Sequence, residues 1–252
     1  DRVYGASLIP QMLALYFILT GAVTLLVFVR LELHTLSPVF EVRLFSKNKL
    51  FAFSSLAALI NYAATFAVTF LLSLYLQYIK GLDPRTAGAV LVAQPVIMAI
   101  FSPLAGRLSD RVEPRLISSA GMGLTALGLF SFALVGIETR IQTIISILIM
   151  LGFGFALFSS PNMSAIMGSV DKKFFGIASG TVATMRLLGQ MISMAIAMVV
   201  FAVFIGRVEI NPSNYELFLK SVRFSFMIFA ILCVIGIFFS FTRGELRNVS
   251  EK

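Results

Sequence analysis

The segment Pro103-Leu-Ala-Gly106-Arg107-Leu-Ser-Asp110-Arg111-Val-Glu113-Pro114-Arg115 separates two long apolar runs of the chain. Three arginines and two carboxylates crowd into its last nine residues. Gly106 and Pro114 predict that one helix ends before these charges and another begins after them. Because such a charged segment cannot lie in hydrocarbon, we expect a hairpin at a membrane surface, between two membrane-spanning helices.

The composition of the whole chain agrees with a membrane protein. Of its 252 residues, 58% are hydrophobic and only 13% are charged, whereas a soluble domain carries roughly 25% charged residues. The net charge of +8 does not indicate a nucleic-acid partner, because the basic residues flank the apolar runs. The chain starts without Met and without the basic n-region of a signal peptide, so we expect it to be a piece of a longer protein.

Seven apolar runs are long enough to cross a bilayer, which takes about 20 residues. They are approximately Ala6–Val29, Phe51–Tyr78, Thr86–Gly106, Leu116–Ile137, Ile141–Ile166, Phe174–Ile205 and Phe224–Thr242. We therefore predict an all-α integral membrane fold of seven spans. A linker helix (1–30) and a cytoplasmic linker (31–50) precede a six-span bundle (51–242) and a cytoplasmic tail (243–252).

The distribution of Lys and Arg predicts the orientation. Connections after odd-numbered spans and the C-terminal tail hold twelve basic residues, namely Arg30, Arg43, Lys47, Lys49, Arg107, Arg111, Arg115, Lys172, Lys173, Arg243, Arg247 and Lys252. The other side holds six, or seven if Arg223 is included. The positive-inside rule places the charged hairpin and the C-terminus in the cytoplasm and the N-terminus of this chain outside.

Span two carries small and polar residues in steps of three and four, which places them on one helical stripe. They are Ser54, Ala58, Asn61, Thr65, Thr69, Ser73 and Gln77. Such a stripe either joins neighbouring helices or lines a polar cavity, and the sequence leaves both interpretations open. Asn61, beside Tyr62 and Phe66, is the strongest cavity candidate.

Span six contains a basic residue deep in the apolar run. Arg186 shares a helical face with Gln190 and lies roughly 18 Å past the predicted cytoplasmic end. An unpaired arginine facing lipid there is costly, so we expect it to face a watery cavity, a carboxylate or an anionic substrate group. The predicted spans contain no Asp or Glu, and a carboxylate partner would have to come from outside this chain. A structural arginine bonded to carbonyls or amides is the alternative.

Two further spans carry a proline beside an amide, Gln94-Pro95 in span three and Pro161-Asn162 in span five. A proline within a span frees a backbone carbonyl, and broken helices near the bilayer midplane are frequent at transport sites. The same prolines also occur as ordinary packing kinks. Gln94 and Asn162 are therefore candidate cavity residues.

The sequence offers little for enzyme or metal chemistry. It contains one His and one Cys, His34 and Cys233, and no metal-ligand cluster, catalytic triad or phosphate-binding loop. We predict neither a catalytic residue nor a metal site nor a cofactor. A seven-span receptor or retinal protein is an alternative, although the last span lacks the Lys that retinal requires. A non-transporting half-transporter scaffold is another alternative.

With these residues placed, the chain resembles the C-terminal portion of a major facilitator superfamily transporter, in the fourteen-span drug:proton antiporter branch. The segment 106–115 is similar to the cytoplasmic G-x-L-(S/A)-D-R-x-G-x-(R/K) hairpin of that superfamily, with Glu113 where the family usually has glycine. Similar stretches are Ser37–Phe45, Leu151–Asn162 and Gly176–Gly189.

The resemblance implies a proton-coupled transporter that exports amphipathic small molecules by alternating access, in the cell membrane. It implies that spans two, three, five and six line a cavity with Asn61, Tyr62, Phe66, Gln94, Asn162, Arg186 and Gln190. The hairpin residues Gly106, Arg107, Asp110, Arg111 and Arg115 would control the change of conformation. A missing N-terminal half would complete the cavity and supply the proton-carrying carboxylate.

Overall fold

The computed structural model describes residues 42–206 and 210–244, with scattered positions between 13 and 31. The chain divides into two compact units, Asp1–Lys47 and Asn48–Lys252. The first unit contains a six-residue helix, Val42–Lys47. Most of the predicted span Ala6–Val29 and of the linker that follows it lies outside the described residues.

The second unit is built from helices, and six helical segments of it are long and apolar enough to cross a membrane. The all-α prediction is confirmed for this part of the chain. The helices are α1 (Lys49–Leu74, continued by a π turn at Tyr75–Ile79), α2 (Pro84–Leu91), α3 (Ala93–Arg111), α4 (Pro114–Ala133), α5 (Ile141–Gly168), α6 (Phe175–Phe204) and α7 (Tyr215–Thr242).

For span three the sequence left a broken helix and a packing kink open, and the structure interrupts the helix at Val92, three residues before Pro95. Helix α2 ends at Leu91 and α3 begins at Ala93. The backbone N–H of Val92 donates to Gly88 O at 3.1 Å, and that of Val96 donates to Val92 O at 3.1 Å. Proline has no N–H to donate to the preceding turn. The two helices together therefore form a single interrupted span, Pro84–Arg111.

The predicted helix end at Gly106 is wrong, because α3 continues through it to Arg111. A Cβ at Gly106 would lie 2.9 Å from Ser160 Oγ, and a glycine is accommodated inside a helix where a neighbour approaches this closely. Only Val112 and Glu113 separate α3 from α4, whose first residue is Pro114. The charged hairpin is therefore a two-residue connection, and Arg107, Asp110 and Arg111 belong to the end of α3.

The last span also starts earlier than its charge-free run indicated. Helix α7 begins at Tyr215 rather than near Phe224, so Glu216, Lys220 and Arg223 are helical. The Nε of Arg223 donates to Val135 O at 2.6 Å, which fixes this charged extension against the connection after α4. Residues 211–214 form a helix cap before α7, in which Asn211 N donates to the Asn214 side-chain oxygen at 2.9 Å.

The helices of the bundle pack in a pattern that has an internal two-fold relation. Helix α1 packs on α6, and α3 packs on α5. Superposing the first three spans in order on the last three matches α1 with α5, α3 with α6 and α4 with α7. This match converts the pair α1–α6 into the pair α5–α3 and leaves the pair α4–α7 unchanged. The remaining large pairs, α4 with α5 and α1 with α7, obey the same exchange. Such pairing is typical of a bundle formed from two inverted three-helix repeats.

Burial is uneven around the bundle. In the span that contains α1, 67% of an 18-residue apolar stretch is buried. The corresponding stretches of the spans that contain α2–α3 and α6 are only 11% and 22% buried. Helix α1 is therefore central. The faces of α3 and α6 are left open for lipid or for another protein surface.

Glycines allow the close crossing of α4 and α5. A Cβ at Gly121 would lie 2.7 Å from Gly154 O, and a Cβ at Gly154 would lie 2.6 Å from Thr125 Oγ1. Small residues permit such backbone approach in membrane bundles. Gly176 and Gly180, which are also spaced for a close helix contact, make none: among the described residues, no heavy atom lies within 4 Å of a Cβ placed at either position.

The glycine crossing leads to a stability prediction. Gly121→Ala should destabilise the bundle by about 2 kcal/mol, because the added methyl group would overlap the backbone of α5. Gly123→Ala is the matched control on the same helix, since its nearest neighbour, Ile237 Cδ1, lies 3.9 Å away. Thermal unfolding in detergent should separate the two variants. Equal melting temperatures would contradict the close crossing.

Candidate functional site

A cavity of about 200 Å³ lies between α1, α5 and α6. The lining residues lie at least five residues from the nearest end of their helix, so the cavity is inside the span rather than at a loop. Its lining residues are Ala58, Tyr62, Phe158, Ser159, Asn162, Met163, Val182 and Arg186. The structure thus brings together three predicted site residues, Tyr62, Asn162 and Arg186, in one cavity.

Arg186 supplies the charged group of the cavity lining. It lies eleven residues after the first residue of α6, or about 17 Å along the axis, close to the middle of a membrane-spanning helix. Its side chain is exposed on the open face of the bundle. Among the described residues, the Arg186 guanidinium has no hydrogen-bond or ion-pair partner. The alternative of an arginine fixed by neighbouring carbonyls or amides of this bundle therefore finds no support in these contacts.

Asn162 connects the cavity to a buried polar cluster. Its Oδ1 accepts a hydrogen bond from Arg243 Nη1 at 2.6 Å, and its Nδ2 donates to Ser54 O at 3.1 Å. The side chain is held by one charge-assisted bond and one bond to the backbone of α1, so its orientation is fixed. Asn162 is consequently a cavity residue whose carbonyl oxygen is already occupied.

Arg243 is the residue that sequence analysis missed. The predicted boundaries placed it in the cytoplasmic tail, but it is 1% exposed at the C-terminal end of α7. Besides Asn162, its Nη1 donates to Ser54 Oγ at 3.1 Å, and its Nη2 donates to Ser118 Oγ at 3.2 Å. One guanidinium therefore joins α7 to α1, α4 and α5.

The buried guanidinium of Arg243 remains charged. Burial lowers its pKa to about 10, an effect that Glu113 partly offsets. This pKa is still well above neutral pH, so the group is protonated and can use its donors. The nearest sequence signal for the cluster is weak. Ser54, Ser118 and Asn162 each lie within two turns of the same bundle end as Arg243, but nothing in their spacing joins them.

The other predicted cavity residues do not line this cavity. Asn61 is fully buried, and neither its Nδ2 nor its Oδ1 has a hydrogen-bond partner among the described residues. Gln94 contributes its backbone oxygen to a close contact with Gly152. Phe66 is exposed and Gln190 half-buried, both outside the lining set. Their assignment to a substrate site stays a prediction.

The small and polar stripe on span two was open to two interpretations, helix packing and a cavity wall, and the structure supports each in part. Ser54, Ala58, Asn61 and Thr65 are buried, whereas Thr69 is exposed. Ser54 binds Arg243 and Asn162, and Ala58 lines the cavity. The first half of the stripe therefore both packs the bundle and reaches one wall of the cavity.

The predicted hairpin residues lie at a surface depression at the end of α3. Leu104, Arg107, Leu108, Asp110 and Arg111 line it. Arg115, at the start of α4, instead approaches the ring of Phe241, with its Cζ 5.8 Å from the ring centroid. The hairpin therefore presents a mixed-charge edge on α3, while Arg115 packs inward against α7.

The described part of the second unit holds six membrane-length helices that pair as two inverted three-helix repeats, with a cavity between α1, α5 and α6. This architecture is that of a multi-pass membrane protein and is typical of secondary transporters. The family model "Major Facilitator Superfamily" matches residues 54–251. The chain belongs to the Major Facilitator Superfamily.

Several curated proteins are similar to this chain. Riboflavin transporter RibZ of Clostridioides difficile (strain 630) is 29% identical over 238 residues, which cover 94% of this chain and 52% of RibZ. Methyl viologen resistance protein SmvA of Salmonella typhimurium (strain LT2) is 29% identical over 72% of this chain and 36% of SmvA. Multidrug resistance protein Stp of Mycobacterium tuberculosis (strain H37Rv) is 29% identical over 70% of this chain and 33% of Stp. The chain therefore spans between about a third and a half of these relatives.

The Arg243 cluster leads to a second stability prediction. Arg243→Leu should destabilise the bundle by about 3 kcal/mol, because it leaves the buried oxygens of Asn162, Ser54 and Ser118 without their donor. Arg140→Gln, at an exposed arginine, is the control and should change stability by less than about 0.5 kcal/mol. Unfolding in detergent measures both.

A double-mutant cycle isolates the contact that matters for the cavity. Asn162→Ala combined with Arg243→Leu should cost less than the sum of the two single variants, because both remove the same hydrogen bond. Strictly additive losses would show that the two side chains do not interact.

Proposed function

We propose that this chain forms the C-terminal bundle of a proton-coupled secondary transporter that exports amphipathic small molecules by alternating access. The observation that carries the proposal is the cavity within the span, which combines the guanidinium of Arg186, without a partner among the described residues, with apolar and aromatic walls. Membership of the Major Facilitator Superfamily supports the transport class. The names of SmvA and Stp refer to methyl viologen resistance and multidrug resistance, which supports export of amphipathic compounds.

The proposal includes a second bundle that completes the site. At about 200 Å³, the cavity is smaller than the roughly 300–1,000 Å³ usual for small-molecule sites. The open faces of α3 and α6 would receive an N-terminal half of the same transporter. The N-terminal unit would serve as the linker helix between the halves. This arrangement supports a transporter over the seven-span receptor considered from the sequence.

The proton gradient is the proposed energy source, and the proposed proton carrier belongs to the other half. The acidic residues of the described helices lie at helix ends, with Asp110 in the last turn of α3 and Glu216 in the first turn of α7. Neither lines the cavity. A carboxylate that couples proton movement to the substrate would therefore approach from the facing bundle.

We propose a location in the plasma or inner membrane, with the hairpin and the C-terminus in the cytoplasm. The excess of Lys and Arg in the connections on that side supports this orientation. It places the Arg243 cluster at the cytoplasmic end of the bundle and the cavity further toward the membrane centre. The N-terminus of this chain would then lie outside.

The transport proposal is tested at Arg186. In the full-length protein, Arg186→Ala should reduce proton-driven efflux at least about tenfold, because it removes the charged group of the cavity. The folded amount should stay near wild type, since the Arg186 side chain bonds no described residue. Efflux from proteoliposomes and size-exclusion profiles measure the two quantities. Undiminished efflux would contradict the proposal, and loss of folding would instead indicate a structural arginine.

We also propose that Asp110, at the end of α3, takes part in the change between inward-open and outward-open states. Asp110→Ala should shift the balance between inward-open and outward-open states, because this carboxylate lies on the edge that would contact the other half. The readout is the rate at which single cysteines near each cavity mouth are labelled from each side of the membrane. Leu108→Ala, at a neighbouring residue of the same depression, serves as the control. Labelling rates unchanged by Asp110→Ala would remove the gating role.

A further inference from the structure

The polar groups of the cavity differ sharply in what they can still bind. Three of them, the guanidinium of Arg186 and the hydroxyls of Tyr62 and Ser159, have no hydrogen-bond partner among the described residues. All three can donate hydrogen bonds. The amide oxygen of Asn162, a strong acceptor of the lining, is already occupied by Arg243 at 2.6 Å. The cavity therefore offers one guanidinium that can only donate and two hydroxyls that can donate or accept, while the amide oxygen already accepts one bond from Arg243.

The described lining of the cavity carries a positive charge. Arg186 lies on the lining, and the guanidinium of Arg243 lies directly behind Asn162. None of the eight described lining residues is Asp or Glu, although Glu113 partly balances the charge of Arg243. Low-dielectric walls focus the field of a charge that faces a hydrated cavity, so Arg186 attracts an anion and repels a cation more strongly than it would in bulk water.

The remaining walls suit an apolar and aromatic body. Tyr62 packs edge-to-face against Phe155 with ring centroids 5.7 Å apart, so its ring is held in a defined orientation. Phe158, Val182 and Met163 add further apolar surface. A thioether and aromatic rings accommodate planar ligands of varied shape.

From these contacts, we propose that the cavity binds the carboxylate or sulfonate of an amphipathic aromatic anion. The anion pairs with Arg186 and accepts hydrogen bonds from Tyr62 and Ser159. Its ring lies against Tyr62, Phe158 and Met163. This inference deepens the proposed function and rests on the site described there, but it is a statement about binding chemistry, which is measured without any proton gradient.

Three probes of similar size and different charge test the proposal, namely 2-naphthoate, 2-naphthamide and 2-naphthylmethylammonium. Equilibrium binding of each to the full-length protein in phosphatidylcholine nanodiscs should favour the naphthoate over the ammonium by about tenfold or more, the usual size of a charge-assisted contact. Arg186→Gln should abolish this preference. Arg186→Lys should retain part of it, because the charge remains but the planar fork is lost. Arg85→Gln, at an exposed arginine outside the cavity, should leave it unchanged.

The outcomes separate this inference from the transport proposal. Equal or tighter binding of the ammonium probe, absence of naphthoate binding, or a preference that survives Arg186→Gln would each overturn the anion assignment, even if the protein shows proton-driven efflux. Naphthoate preference without gradient-driven efflux would support the anion site and contradict proton coupling. Displacement of naphthoate by phosphatidylglycerol added to the nanodiscs would overturn the small-molecule assignment and identify a lipid headgroup site.

Discussion

The hydrogen bonds of the Arg243 guanidinium are the interaction on which the bundle most depends. A charged group inside a helical bundle is tolerated only when its donors find acceptors, because no bulk water is present there to accept their hydrogen bonds. Arg243 meets this requirement at its two Nη atoms, through side chains of α1, α4 and α5, whereas its Nε has no partner among the described residues. Since it belongs to the end of α7, four helices are fixed relative to one another at a single end of the bundle.

This cluster also explains the geometry of the cavity. Asn162 belongs to both the Arg243 cluster and the cavity lining. Its oxygen accepts a hydrogen bond from Arg243, and its nitrogen donates one to the backbone of α1. The lining residue is therefore oriented by a charge that a ligand does not touch. The two arginines have different roles for the same physical reason. Both Nη atoms of Arg243 are bonded within the bundle, whereas Arg186 has no partner among the described residues and is the group left for a ligand or a facing bundle.

Much of the architecture could be predicted from the sequence, because hydropathy reports directly on passage through a bilayer. Five of the six described spans start within a few residues of their predicted bounds. The last span starts earlier, since a charge-free run does not include a helical extension that carries Glu216 and Arg223. Gly106 was predicted to end a helix, but a glycine alone does not reveal a neighbour such as Ser160 in close contact.

The site was predictable only in part. Arg186 stood out because a single charge deep in an apolar run is rare. Arg243 did not stand out, because a basic residue just after the last apolar run is ordinarily assumed to reach the aqueous surface. Asn61 was favoured as a cavity residue by its helical stripe, yet the stripe is buried inside the bundle at this position. Periodicity shows which residues share a face, but the identity of the facing helix depends on tertiary packing.

The proposed site requires that position 186 faces water inside the membrane-spanning region. The most direct measurement is the reactivity of Arg186→Cys toward a charged, water-soluble methanethiosulfonate reagent, in the full-length protein in membranes. Cys233 is fully buried and provides the internal reference for a thiol without access to water. The account predicts rapid labelling at position 186 and none at Cys233. Labelling at position 186 as slow as at Cys233 would contradict a hydrated cavity and, with it, the assignment of this site.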